Sequence, residues 1–202
     1  MRIIIAVVFF GVLQFAFGEY PPDTDACLEL EDDKNFNSAK FFKGTWYVTN
    51  ARYGSNSTVC LEYIVKIRKN GTINIVADGY YDFGGPPRYY RVRCEGTKEY
   101  KNGKFYLQCR QHSRGKENKI KFNFQLDWTV VETDYNKFAI VYGCVRTVIK
   151  TVAFIEDNLL ILHRKKNGLN RNVEETLQLY ESSLQNFLSR EDSICLPSPV
   201  KS

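Results

Sequence analysis

Short runs of alternating apolar and polar residues, separated by turn residues, fill the chain from Tyr47 to about His163. A period of two is typical of strands with one buried face. Asn70-Gly71 and Asn102-Gly103 lie between such runs and predict tight hairpins. The pattern therefore predicts eight strands in a meander, which begin at Tyr47 and continue over 61–68, 72–81, 89–95, 105–111, 120–130, 138–145 and a run ending at Leu162.

Regular short strands with tight turns are typical of a sandwich or an up-and-down barrel. A sandwich would need long crossings between its sheets, whereas hairpin follows hairpin here, so the sequence favours the barrel. We expect a mainly β protein with an eight-stranded antiparallel barrel over about 44–164. A barrel of this size has room inside for one small ligand.

The C-terminal part changes to a helical period over about 172–189. Asn172 can cap a helix whose first turn contains Glu174 and Glu175, which suit the positive end of the helix dipole. An apolar stripe follows at three- and four-residue steps, formed by Val173, Leu177, Tyr180, Leu184, Phe187 and Leu188. We expect this helix to pack on the outer wall of the barrel. The alternative is a helix that binds a partner.

The N-terminal segment has the features of a secretory signal over 1–18. Arg2 precedes an apolar stretch, and Ala16-Phe17-Gly18 has the small-x-small pattern of a cleavage site. The apolar span of roughly 15 residues is shorter than the roughly 20 that a membrane-spanning helix needs. We therefore expect a secreted, monomeric protein with one domain over 19–202 and no membrane association. An uncleaved anchor is the alternative.

The six cysteines form an even number in a chain that we expect to be secreted, which indicates three disulfides with 15 possible pairings. None lies in a CxxC pair, which argues against a zinc site and a thioredoxin-like motif. We expect no metal and no cofactor. Asn56 and Asn70 begin glycosylation sequons. The net charge of +5 is compatible with anionic ligands or cell surfaces but too small for a nucleic-acid partner.

Catalytic patterns are missing from the sequence. There is no GxSxG, no HExxH and no phosphate loop. All six cysteines are expected in bridges, and His112 and His163 have no obvious carboxylate partner. We expect that the protein is not an enzyme.

Three short motifs fall at fixed places on the predicted strands. Gly44-Thr45-Trp46 opens the first strand, Thr133-Asp134-Tyr135 lies in the turn before the seventh, and Arg164 follows the eighth. This set is similar to the lipocalin signature. The resemblance implies that Trp46 closes the floor of the barrel, that Gly44 lets the preceding turn fold under it, and that Arg164 packs across its ring.

A narrower resemblance is carried by "FFKGTWYVT", by the cysteine layout and by "YNKFAIVYGC". These features resemble the salivary lipocalins of triatomine bugs, the triabin and nitrophorin group, and are closer to the triabin-like members. The resemblance implies disulfides Cys27–Cys144, Cys60–Cys195 and Cys94–Cys109. The last pair would also lie on neighbouring strands of one hairpin.

The nitrophorin branch binds haem through a histidine of the third strand. The matching position here is Gly79, and neither His112 nor His163 falls there. We therefore expect no haem.

Strand alternation gives candidate cavity residues. If Trp46 points inward, so does Asn50, and the same reasoning gives Tyr63, Ala77, Gly79, Tyr81 and one or both of Tyr89 and Tyr90. The small Ala77 and Gly79 leave space, and the tyrosines suit a small amphipathic ligand. The alternative is that these tyrosines cover half-exposed strand surface.

Charged residues indicate which ligand would fit. Asp157, with Glu156 beside it, lies in the eighth strand, where an inward carboxylate can hold an ammonium group; the alternative is that it marks a turn or bulge. Arg91 and Arg93 would face inward and bind a carboxylate or phosphate if Cys94 faces outward. If Cys94 faces inward, both arginines are surface charges. The sequence leaves this register open.

The resemblance implies a function without turnover. We expect a protein secreted in saliva that binds small host mediators, which are amines such as serotonin and noradrenaline or eicosanoids such as thromboxane and leukotrienes. Their removal would inhibit platelet aggregation and vasoconstriction. The alternative is a protein-binding inhibitor of a coagulation protease or of collagen-induced platelet activation.

Overall fold

The computed structural model describes residues 25–30, 35–82, 85–97, 103–113, 121–149, 151–169, 171–179 and 182–199. The predicted signal, 1–18, lies outside these residues. The strands are β1 Lys43–Ala51, β2 Glu62–Ile67, β3 Thr72–Val76, β4 Gly79–Tyr81, β5 Arg88–Thr97, β6 Lys104–Ser113, β7 Lys121–Thr133, β8 Phe138–Ile149, β9 Val152–His163 and β10 Leu188–Ser189. The helices are α1 Ser38–Phe41, α2 Asn56–Val59, α3 Arg171–Leu179 and a 3-10 turn, Leu184–Asn186.

The strands form a closed antiparallel barrel. Their order is β1-β2-β3-β5-β6-β7-β8-β9, and β9 pairs back to β1. The predicted third strand is divided into β3 and β4, and both pair with β5. The barrel thus has eight strand positions joined as a meander, which confirms the predicted fold. No helix in the described ranges is long and apolar enough to cross a membrane.

A β-bulge interrupts the alternation of β1. Val48 pairs with Leu162 of β9, but the next pairs are Asn50 with Ile161 and Ala51 with Leu160. The extra residue in β1 inverts the facing of Asn50 and Ala51. Ala51 therefore faces the inside of the barrel, and Asn50 faces out.

Trp46 closes one end of the barrel. Its side chain is fully buried, its ring stacks on Phe41 with 5.3 Å between centroids, and its Nε1 donates to the Phe41 carbonyl. The Arg164 guanidinium lies 3.5 Å from the centre of the indole ring. Gly44 has φ +78°, a conformation that glycine adopts without strain. Gly44 thus lies at the start of β1, directly after the turn that follows α1.

The turn between β7 and β8 is built by side-chain hydrogen bonds. Asp134 Oδ1 accepts the backbone N–H groups of Asn136, Lys137 and Phe138. Thr133 Oγ1 accepts the N–H of Tyr135, which has φ 65°. These bonds fix the loop at the closed end, where Arg164 Nε donates to the Tyr135 carbonyl.

Helix α3 packs on the outer wall, as predicted, but it is shorter than the predicted 172–189. Val173 and Leu177 are buried against the outward side chains of Ile140 and Ile161. The helix ends at Leu179, and Glu174 then accepts hydrogen bonds from Ser183 Oγ and the Leu184 N–H. These bonds turn the chain back toward the barrel, where β10 pairs with β1.

Three disulfides connect the described chain, and they are the pairs that the resemblance implies. Cys27–Cys144 attaches the N-terminal segment to β8, and Cys60–Cys195 attaches the C-terminal segment beside α2. Cys94–Cys109 joins directly opposed residues of β5 and β6. Because Cys94 and Cys109 belong to the inner core, this bridge lies inside the barrel.

His163 gives the fold a predicted pH dependence. It is 4% exposed, its Nδ1 lies 2.7 Å from Thr49 Oγ1, and burial lowers its pKa although Asp134 acts in the opposite direction. At pH values between the two pKa values, the unfolded chain binds a proton at this histidine that the folded chain does not. The contribution of the neutral His163 to the free energy of unfolding is therefore fully present above about pH 6.5 and is lost as the pH drops toward the lowered pKa. Thermal unfolding from about pH 7 to about pH 5 should show this fall, and His163→Gln should flatten it. His112→Gln, on the outer wall, is the matched control; an identical slope in His163→Gln would contradict the assignment.

Candidate functional site

An inner chamber of about 190 Å³ lies in the middle of the barrel. Its described lining is mainly apolar and includes Leu61, Ile75, Val92, Leu126, Trp128 and Leu160. Tyr63 lines it too, with its ring packed edge-on against Trp128 at 5.2 Å. Trp128 Nε1 is buried without a hydrogen-bond partner in the described part of the chain. The mainly apolar lining of the chamber suits an apolar group.

Four predicted cavity residues lie on the inner face of β2 to β4 or beside it. Tyr63, Ala77 and Tyr81 line the inner chamber. A Cβ on Gly79 would lie 2.7 Å from Leu61 Cδ2, which shows that Gly79 also faces inward. Tyr81 donates its hydroxyl to the Ala77 carbonyl at 2.6 Å. Burial raises the pKa of both tyrosines well above the ordinary value, so both phenols are neutral.

Two predicted cavity residues face outward instead. Asn50 lies opposite Ile161 of the outer core because the β1 bulge inverts its facing. Tyr89 packs against Tyr80 on the outside, and its hydroxyl lies 3.2 Å from Ser198 Oγ. Tyr90 is the inward residue of the pair: it is buried in the inner core, with its ring 6.0 Å from Tyr81. The predictions for Asn50 and Tyr89 were wrong.

Asp157 also faces outward, so the prediction of an inward carboxylate at this position was wrong. It pairs with Cys144, which is bridged to Cys27 on the outer side, and it accepts the Tyr142 hydroxyl at 2.8 Å. Its neighbour Glu156 pairs with Val145, a cavity residue. Because strand residues alternate in facing, the inward carboxylate is Glu156.

The open register of β5 is resolved by the inner disulfide. Cys94 lines the inner chamber, so Arg91 and Arg93 face outward. Arg93 pairs with Asp78 on the outer wall. Neither arginine belongs to the cavity, and both are surface charges.

A mouth chamber of about 440 Å³ continues from the inner one toward the open end. The two share residues that include Tyr81, Phe124 and Asn158. The mouth chamber adds two carboxylates and two further aromatic rings, those of Asp82, Glu156, Phe122 and Phe154. No described residue lining either chamber is Lys, Arg or His. Thr147 Oγ1 lies in the same lining and is buried without a partner among the described residues.

The sequence reasoning missed most residues of this chamber, among them Asp82, Phe122, Phe154 and Glu156. Phe122 and Glu156 were noted without a cavity role, and Phe154 was not singled out. Their signal was the alternation within each strand. It places Phe122 and Phe124 on the same face of β7, and Phe154, Glu156 and Asn158 on the same face of β9. An anchor for the parity of β9 was lacking, because no bridged cysteine lies in that strand.

Sequence comparison gives relatives along the whole chain. The Triabin family profile matches residues 18–176. Triafestin-2 of Triatoma infestans is 42% identical over 206 residues, which cover 100% of this chain and 97% of that protein. Pallidipin of Meccus pallidipennis is 30% identical over 198 residues, with 96% and 98% covered.

Similar folds occur among solved structures. The tryptamine complex of the amine binding protein of Rhodnius prolixus superposes with a TM-score of 0.65 at 20% identity, covering 81% of this chain and 85% of that one. A variant of LTBP1 in complex with leukotriene C4 gives a TM-score of 0.56 at 24% identity, with 82% and 91% covered. At these identities the likeness shows the fold alone.

Proposed function

Because the chain belongs to the Triabin family, we propose that it is a secreted salivary lipocalin that binds and sequesters a small aromatic amine of the host. Serotonin and noradrenaline belong to this ligand class. Their removal would inhibit platelet aggregation and vasoconstriction. The mechanism is mass action, which requires a tight stoichiometric complex and no turnover.

The observation that carries the proposal is the charge of the mouth chamber. Glu156 and Asp82 line it, whereas its described lining contains no cationic side chain. An ammonium group in this chamber gains attraction from both carboxylates. The carboxylate of an eicosanoid would be repelled by the same two residues. The chamber therefore favours the amine over the eicosanoid.

The aromatic part of such a ligand has two places to bind. Phe122, Phe124 and Phe154 offer ring faces and edges beside Glu156. Deeper in the barrel, the inner chamber offers Tyr63 and Trp128. An aryl group joined to an ammonium by a short alkyl chain can place its charge in the mouth chamber and its ring toward the inner chamber.

Two ligands that share one ring system test the proposal. Tryptamine and indole-3-propionic acid have the same indole and differ in the charge at the end of the side chain. Calorimetric titration should give submicromolar binding of tryptamine and at least a hundredfold weaker binding of the acid, which corresponds to about 3 kcal/mol. Equal affinities, or tighter binding of the acid, would contradict the amine proposal.

A protein-binding inhibitor is the second candidate. Val148 and Val152 lie at the β8–β9 hairpin beside the mouth and are 67% and 54% exposed. Exposed apolar side chains in such a position are typical of protein contacts. If neither tryptamine nor indole-3-propionic acid binds in the titration, this hairpin becomes the first surface to test against coagulation proteases and collagen.

A further inference from the structure

The outer wall formed by β5, β6 and β7 carries two rows of polar side chains near the open end. Arg91, His112 and Lys121 are paired in register across the three strands. In the next row, Arg93, Arg110 and Asn123 are paired in the same way. We call the five basic residues of these rows the cationic face: Arg91, Arg93, Arg110, His112 and Lys121.

Few carboxylates balance this charge. Asp78 accepts two hydrogen bonds from the Arg93 guanidinium, so this pair is neutral. Glu95 is shared between Arg68 at 3.1 Å and Arg110 at 3.6 Å. Among the described residues, no carboxylate lies within ion-pair distance of Arg91 or Lys121. The cationic face therefore has a net positive charge on a surface open to solvent.

The wall at this place is not covered by another element of the described chain. Helix α3 packs against Ile140 and Ile161, on strands β8 and β9. The side chains of Arg91, Arg93, Arg110 and Lys121 are exposed. Strands lie about 4.8 Å apart and alternate residues about 6.8 Å apart, so the five side chains form a compact grid whose spacings are of that order.

The chemistry of this grid fits a linear polyanion. Guanidinium groups bind sulfate oxygens through two parallel hydrogen bonds, and ammonium groups add a point charge. The two rows contain no apolar side chain, whereas proteins that bind a membrane surface usually insert apolar groups beside their basic residues. The barrel wall is also convex, so it presents a narrow stripe, which suits a chain better than a flat bilayer.

We propose that the cationic face binds a linear sulfated polysaccharide of the host cell surface or matrix. This site lies outside the barrel wall, and the small-ligand chambers lie inside it. The two can be occupied together. The polysaccharide would retain the protein at the host cell surface or matrix, independently of what the chambers bind.

Heparin is the probe for the test. We expect the full secreted chain to bind immobilised heparin at about 0.15 M NaCl, with an affinity that falls as salt rises. Arg91→Ser combined with Lys121→Ser should weaken binding about tenfold or more and reduce the slope of log K against log salt by about two. The matched control is Lys69→Ser with Lys137→Ser, which removes the same charge from exposed positions in turns at the closed end. It should change the affinity by less than about twofold.

Three results would overturn the proposal. The first is no heparin binding by the unmodified chain at about 0.15 M NaCl. The second is an equal loss of heparin affinity in both double variants, which would mean that the affinity depends only on the net charge of the protein. The third is tighter binding to phosphatidylserine vesicles than to heparin, lost in the Arg91 and Lys121 variant, which would assign the face to a membrane. Tryptamine binding of each variant shows whether its barrel is intact.

Discussion

Glu156→Gln is expected to weaken tryptamine binding about 30-fold, because it removes the negative charge of the inward carboxylate and keeps the size of the side chain. A hydrogen bond to a charged group contributes about 1.5–3 kcal/mol, and a hydrogen bond between neutral groups contributes about 0.5–1.5 kcal/mol. Asp82 lines the same chamber and retains part of the attraction. Calorimetric titration at constant pH and salt measures the change.

Asp157→Asn is the matched control for this prediction. It makes the same chemical change one residue away, on the outer side of the same strand. Its tryptamine affinity should stay within about twofold of the unmodified protein, although loss of the acceptor for Tyr142 can reduce stability. A loss of binding in Asp157→Asn that equals the loss in Glu156→Gln would contradict the facing of β9 described above.

Arg164→Ala is expected to reduce the free energy of unfolding by about 3–4 kcal/mol. The guanidinium packs on the Trp46 ring, and its nitrogens donate to the carbonyl oxygens of Lys40, Phe41, Lys43, Thr45 and Tyr135. Burial lowers its pKa to about 10, so it remains a cation at neutral pH. The substitution removes the cation–π contact and leaves partly buried carbonyls without donors. Chemical denaturation measures the loss.

Arg164→Lys tests the geometry separately from the charge. An ammonium group can lie over the Trp46 ring. It carries all its donors on one nitrogen, however, so it cannot reach all the carbonyl oxygens that the planar guanidinium reaches. We therefore expect Lys to recover less than half of the stability lost in Arg164→Ala. Full recovery by Lys would show that charge alone closes the barrel floor and that the hydrogen bonds add little.

The barrel could be predicted from the sequence because its information is local. Alternating runs such as Leu61 to Arg68, separated by Asn-Gly turns, determine strands and hairpins without knowledge of distant contacts. The roles of Gly44, Trp46 and Arg164 were implied by the resemblance to the lipocalin signature, and the structure places the Arg164 guanidinium over the Trp46 ring. The family profile and the strand pairing agree with this part of the interpretation.

The facing of individual side chains could not be predicted with the same success. One bulged residue in β1 moved Asn50 to the outside, and bulges depend on pairing with a distant strand. An error of one position in β9 exchanged Glu156 with Asp157, and so exchanged the cavity carboxylate with an outer one. Alternation fixes which residues share a face, but a distant contact is needed to decide which face is inside.

The C-terminal helix shows a different limit. The apolar stripe continues past Leu179 through Leu184 to Phe187, so its period alone predicted one helix. In the structure, Phe187 is buried in the outer core from a non-helical segment. The 3-10 turn begins at Leu184, and the hydroxyl of the preceding Ser183 caps it and also donates to Glu174. Phe187 and the partly buried Leu184 thus pack on the outer core from a backbone that is not the predicted helix.

A crystal structure of the tryptamine complex tests the central claim most directly. The account predicts that the ligand ammonium lies about 3 Å from a Glu156 carboxylate oxygen, with the indole beside the phenylalanine rings or in the inner chamber. Tryptamine bound outside the barrel, or inside it with its ammonium away from both Glu156 and Asp82, would contradict the account.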